Sequence, residues 1–334
     1  MFSLILGALP ARADDPQVCT VTYDNTVNPA DDETDTHFYG SLDYALQYFN
    51  TATKSESRCR KEIKFDTAGS QIHIYETIHL FRDGDNEFTF GGDDKIKLIV
   101  HDLGVDEDGN PNPVFLIDNK DYDGNTTDAI RNLNFKNIRV VSNNSNNRNT
   151  RGTVFKCKNS VGDSTSAVNI NFDGISIETQ PFRPALHLDN CDNVLTSSFD
   201  VTITAVDPGY TSDDGVINIP EGRIAPVILV ENQSTGFDFN GTLSQLVGHG
   251  IVIKENSDNF NLDGVTLGYD PTATYGSDAD DISTTTAIGL QIDNSSGTLG
   301  TSTDTTIYNN NGHGIYFTDI DSGDIEIGTS ILLF

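Results

Sequence analysis

The chain of 334 residues carries 50 Asp+Glu against 20 Lys+Arg, a formal net charge of -30, with 36% apolar residues, 29 Gly, no Trp and four Cys. That length suits one large or two medium domains, and the apolar fraction still supplies a core, which excludes wholesale disorder. A charge of this sign repels phosphate backbones, anionic membranes and acidic polysaccharide unless cations bridge them, so nucleic acid is excluded as a partner.

Residues 1–13 read as the remnant of a secretory signal: an apolar run from Phe2 to Leu9, then Pro10 and the small-x-small pattern Ala11-Arg12-Ala13. They predict a secreted or cell-surface protein. No other stretch approaches the run of about 18 apolar residues that a membrane span needs. The apolar end Ile331-Leu-Leu-Phe334 reads as a final strand, a cut-off fragment or the start of an anchor. In an exported protein Cys19, Cys59, Cys157 and Cys191 are expected to be oxidised, with three pairings open. Cys19 with Cys59 and Cys157 with Cys191 is preferred, because each couple falls within one local region.

Residues 14–112 form an N-terminal cap and the first coils. Ser41 stands as N-cap before Leu42, Ala45, Leu46 and Phe49, spaced i, i+3, i+4, i+7, which predicts one short amphipathic helix. Alternation then predicts strands at Ile63-Lys-Phe65, Ile72-His-Ile74 and Ile78-His-Leu80, each with one face buried.

From residue 113 to 334 the chain repeats. Segments starting at Val114, Val154, Leu186, Val227, Ile251, Leu290 and Ile315 each carry a second apolar residue, two places on in all but the Val154 segment, and close on Asn or Asp. The units also carry paired apolar segments, such as Leu133-Asn-Phe135 with Ile138-Arg-Val140, split at Asn137, Gly174 or Gly264 by residues that tolerate a left-handed bend. No such unit buries its own inner face, but stacked units bury each other's. The prediction is an all-β, right-handed parallel β-helix with one short N-terminal capping helix, in which Asn159, Asn232 and Asn256 recur at one corner.

Tyr39-Gly-Ser-Leu-Asp-Tyr-Ala-Leu46, followed by Glu62-Ile-Lys-Phe65 and Ile72-His-Ile74, resembles the G-S-L-R-x-A-I cap signature of bacterial secreted right-handed β-helix surface proteins, with Asp43 where Arg is usual. The repeats resemble the pectate-lyase-like β-helix unit. This resemblance covers nearly the whole chain and implies the fold and export. It does not imply one activity, since that superfamily spans lyases, hydrolases, tailspikes, adhesins and structural surface proteins.

Asp213 and Asp214, with His249 between Gly248 and Gly250, look like two polygalacturonase-type motifs whose carboxylates would act as acid and base. The N-T-D and R-I-K partners of those motifs are missing. Gly312-His313-Gly314 repeats the tripeptide, which reads it as corner chemistry. Asp121, Asp123, Asn125 and Asp128 place oxygen ligands on alternate residues around Gly124, the pattern of a calcium loop. The expectation is a non-catalytic extracellular structural or adhesive protein, self-associating through its coil ends or holding a glycan or cell-surface partner. The competing expectation is a polysaccharide hydrolase or lyase.

Overall fold

The computed structural model describes residues 18–21, 42, 45–46, 61–65, 71–81, 87–106, 110–118, 131–143, 152–159, 167–179, 184–203, 217–218, 225–269, 273–274, 288–308, 313–321 and 324–333. They form a parallel β-helix: an eight-stranded and a fifteen-stranded sheet, with a two-stranded sheet beside them, and all named strand pairs parallel. The eight-stranded sheet takes one short strand from each coil. Its inward column runs Ile78, Phe115, Phe155, Leu186, Ile228, Ile251, Leu290, Ile315. At about 4.8 Å per step, those eight rungs span about 34 Å.

The fifteen-stranded sheet carries the other sides of each coil. A second aliphatic column there runs Ile72, Leu98, Val140, Ile177, Val201, Leu243, Leu267, Ile307, Leu333. Strict alternation on a period of two turns these side chains inward, as at Phe115–Asp118, where Phe115 and Ile117 are buried and Leu116 and Asp118 are half-buried. Between the sheets the phenylalanines form a continuous spine. Phe115 stacks on Phe155 at 4.6 Å and Phe135 on Phe172 at 5.1 Å, while Phe155 meets Phe135 edge-on at 5.0 Å.

Corners make the coil possible. Asn137 and Gly174 lie in the left-handed region at φ 54° and 69°, as their spacing predicts. At the other corner Asn190, Asn232, Asn256 and Asn294 adopt φ of 57°, 55°, 57° and 43°. Asn159 does not share that backbone; instead its buried amide donates to the Asn190 carbonyl of the next coil at 2.7 Å. Buried Ser234, Ser257 and Ser295 follow the corner. Ser234 Oγ accepts from Cys191 N–H at 3.0 Å and donates to the Glu231 carbonyl at 2.8 Å, tying two coils together.

The observed register corrects the repeat alignment at three places. The rungs begin in register at Phe115, Phe155 and Ile228, one residue after Val114, Val154 and Val227. Those valines are themselves buried at the preceding corner, so hydropathy alone does not separate the two alignments. Ile78–Leu80 is a further rung of the same stack. Leu42, Ala45 and Leu46 are helical, with Leu42 and Ala45 in the core. Cys157 and Cys191 are joined, with Cα atoms 6.4 Å apart. Cys59, and with it the Cys19–Cys59 pairing, lies outside the described residues, as do residues 1–13.

Candidate functional site

A groove of about 770 Å³ runs along the outer face of the fifteen-stranded sheet. Its floor arises because the outward position of successive rungs is a stacked column: Thr89, Asn134, Asn171, Leu195, Asp238, Asn261. The left-handed corner residues Asn132, Asn169, Asn193 and Gly236 form one wall, with Glu87 at one end. From Glu87 to Asp238 the groove crosses five coils, about 19 Å at the inter-strand spacing.

Its chemistry is mostly that of carboxamides. Asn169 donates to Asn132 Oδ1 at 2.8 Å, Asn134 to Glu87 Oε1 at 2.9 Å, and Asn261 to Asp238 Oδ1 at 3.2 Å. Asn171 Oδ1 is shielded from solvent and has no hydrogen-bond partner among the described residues. Leu195, 43% exposed, supplies an apolar step in the middle of this floor. Burial raises the Asp238 carboxyl above its ordinary range, with nearby Asp263 adding to the effect and the Asn261 amide opposing it.

The groove's two carboxylates, Glu87 and Asp238, stand at opposite ends. Glycoside hydrolysis needs its pair about 5 to 9.5 Å apart, and a separation near 19 Å cannot place both on one glycosidic bond. Among the described lining residues there is no Lys or Arg to serve as an eliminating base.

The eight-stranded sheet presents a charged ledge instead. Alternation sends His187 and Asp189 outward from one rung, and Glu231 sits directly opposite Asp189 on the next. His187 Nε2 donates to Glu231 Oε1 at 2.7 Å, and Lys254 Nζ donates to Glu231 Oε2 at 2.8 Å and to Glu255 Oε1 at 3.0 Å. The hydrogen bond from His187 leads in holding the Glu231 carboxyl down to about 2; Lys254 adds to it, and burial opposes both. Burial acts to lower the Lys254 ammonium, but its carboxylate partners Glu231 and Glu255 prevail and raise it. Sequence reasoning passed over this cluster, although the outward alternation of Leu186-His-Leu-Asp189 was visible in the repeat.

Of the residues singled out from sequence, His249 is 6% exposed and accepts the Ile288 N–H on Nδ1 at 3.2 Å. The register places His249, Ile288 and His313 at one corner position on successive coils, which makes the two Gly-His-Gly tripeptides equivalent. Asp213 and Asp214 lie outside the described residues, as do Asp121, Asp123, Asn125 and Asp128. No helix among the described residues is long and apolar enough to cross a membrane.

Fold and surface together define a parallel β-helix with a carboxamide-lined face. Compared with known proteins, the chain matches no family model, no curated protein and no solved structure.

Proposed function

We propose that this chain is a secreted, non-catalytic β-helix of the right-handed, pectate-lyase-like kind with a capping helix, which serves an adhesive or structural role by holding an extended glycan in the carboxamide groove. The observation that carries the reading is the groove itself. Side-chain amides recur on the three central coils of the five at the inter-strand period, an arrangement suited to the hydroxyls of a regular polymer. Leu195 offers a surface for a sugar's apolar face, and the unpartnered Asn171 oxygen is an acceptor that a hydroxyl can satisfy. The net charge of -30 selects neutral over acidic glycans.

Affinity electrophoresis through gels loaded with neutral and acidic polysaccharides tests this, alongside assays for reducing ends and unsaturated products. Retardation by a neutral glycan, weakened by Leu195→Asp and without product release, is the expected result. Product release would establish the hydrolase or lyase reading, and an absence of retardation across the panel would overturn glycan adhesion. Self-association through the coil ends belongs to the same reading. Concentration-dependent sedimentation tests it, with a strictly monomeric protein counting against it.

A further inference from the structure

The ledge on the eight-stranded sheet brings three different metal-ligating side chains to one point. A His187 ring nitrogen, an Asp189 oxygen and a Glu231 oxygen all lie within 4.8 Å of one another, with His187 Nε2 2.7 Å from Glu231 Oε1. The His187 and Glu231 side chains each retain 15% of their exposure, so the cluster is shielded but reachable. The topology causes this: residues two apart on one rung share a face, and the parallel register sets Glu231 beside Asp189.

We propose that His187, Asp189 and Glu231 form a binding site for a divalent first-row transition cation, with zinc the best fit. Zinc takes imidazole nitrogen at about 2.0–2.1 Å and carboxylate oxygen at about 2.0–2.2 Å, so two donors on one tetrahedral ion stand roughly 3.4 Å apart. The His187–Glu231 contact of 2.7 Å has to open by less than about 1 Å, and side-chain rotation brings in the Asp189 oxygen. The cation replaces the Nε2 proton, which leaves to solvent, and water completes the coordination. Calcium fits poorly, since it seeks six to eight oxygens and the cluster supplies an imidazole and two carboxylates.

A second, independent observation is the charge pattern. Asp189 and Glu231 are like charges directly opposite each other on neighbouring strands, an arrangement that destabilises a sheet. With Glu255 they make three carboxylates beside two ammoniums, Lys254 on Glu231 and Glu255 and Lys158 opposite Asp189 on the preceding strand, an excess of negative charge that a divalent ion would offset. Lys254 can yield Glu231 to the metal and remain on Glu255. The shell behind the ligands is already ordered: Asn232 donates to Asp189 Oδ1 at 2.7 Å, Ser234 anchors the Glu231 carbonyl, and the Cys157–Cys191 bridge closes two residues beyond Asp189. The cation would then act as a clamp between two coils, on a different sheet from the glycan groove and independent of it.

Isothermal titration of chelator-treated protein with zinc chloride, in the presence of millimolar calcium to fill non-specific acidic sites, tests the proposal. One zinc per chain is expected at this site, seen also as a perturbation of the His187 ring resonances. His187→Gln and Glu231→Gln, each checked by circular dichroism for retention of the fold, should weaken that zinc by at least about tenfold. Zinc uptake unchanged in both variants, unperturbed His187 resonances, or displacement of the ion by calcium would overturn it. If His187→Gln misfolds, the ring resonances of the unaltered chain still decide.

Discussion

Replacing Phe135 with alanine probes the aromatic spine where it is densest. The ring is fully buried and contacts Phe90, Phe115, Phe155 and Phe172 at centroid distances of 6.0, 5.4, 5.0 and 5.1 Å. Deleting it removes the transfer free energy of a buried phenylalanine and leaves a cavity whose walls belong to three coils held by backbone ladders. Collapse is therefore restricted, which places the loss at about 4 kcal/mol, within the 3–5 kcal/mol usual for such a change. Edge-to-face and stacked contacts worth about 0.5–1.5 kcal/mol each push toward the upper end. Against a typical domain stability of about 5–15 kcal/mol this is a large fraction. Urea unfolding followed by far-UV circular dichroism, with the disulfide intact, measures it. Phe317→Ala is the control: that ring is 38% exposed, and its loss should cost under about 1 kcal/mol. Equal losses at the two positions, or a Phe135→Ala loss below about 1 kcal/mol, would refute the idea that the spine holds the coils together.

Changing Cys157 and Cys191 together to serine opens a loop with a sequence separation of 34; chain entropy puts the loss at about 4 kcal/mol at 25 °C, and an unchanged urea midpoint would contradict it. His101, stacked on Tyr75 at 4.0 Å and 2.7 Å from His73 Nδ1, titrates below its ordinary 6.5 because burial, then the charge of His73, disfavour its imidazolium. The folded chain thus binds this proton less readily than the unfolded one. The contribution to stability is complete above about pH 6.5 and declines as pH falls through the window below it. An NMR titration of the His101 ring checks the direction, and a value at or above 6.5 would contradict it.

How far the fold can be read from sequence varies by position. Leu186, Ile251, Leu290 and Ile315 fall in register from sequence, because the residue before each is Ala or Gly and offers no rival aliphatic start. Val114, Val154 and Val227 shift the alignment by one residue because the dry corner position before each of those rungs holds an aliphatic side chain in place of Ala or Gly. The bend at Asn137 and Gly174 was legible, since few residue types accept a positive φ. The groove was not. Asn134, Asn171 and Asp238 are separated by 37 and 67 residues of sequence, and only the register of three parallel pairings makes them neighbours. His187, Asp189 and Glu231 present the same case: two of them were visible as alternation on one strand, and the third arrived from the next coil.

Local sequence was sufficient for the coil, because an inward aliphatic period of two and an amide-tolerant corner are properties of a few consecutive residues. Which outward side chains meet was settled only by the tertiary structure. Loops of unequal length separate the rungs, so the distance along the chain between two neighbours carries no fixed value, and the hydrogen-bond ladder alone sets which residue faces which.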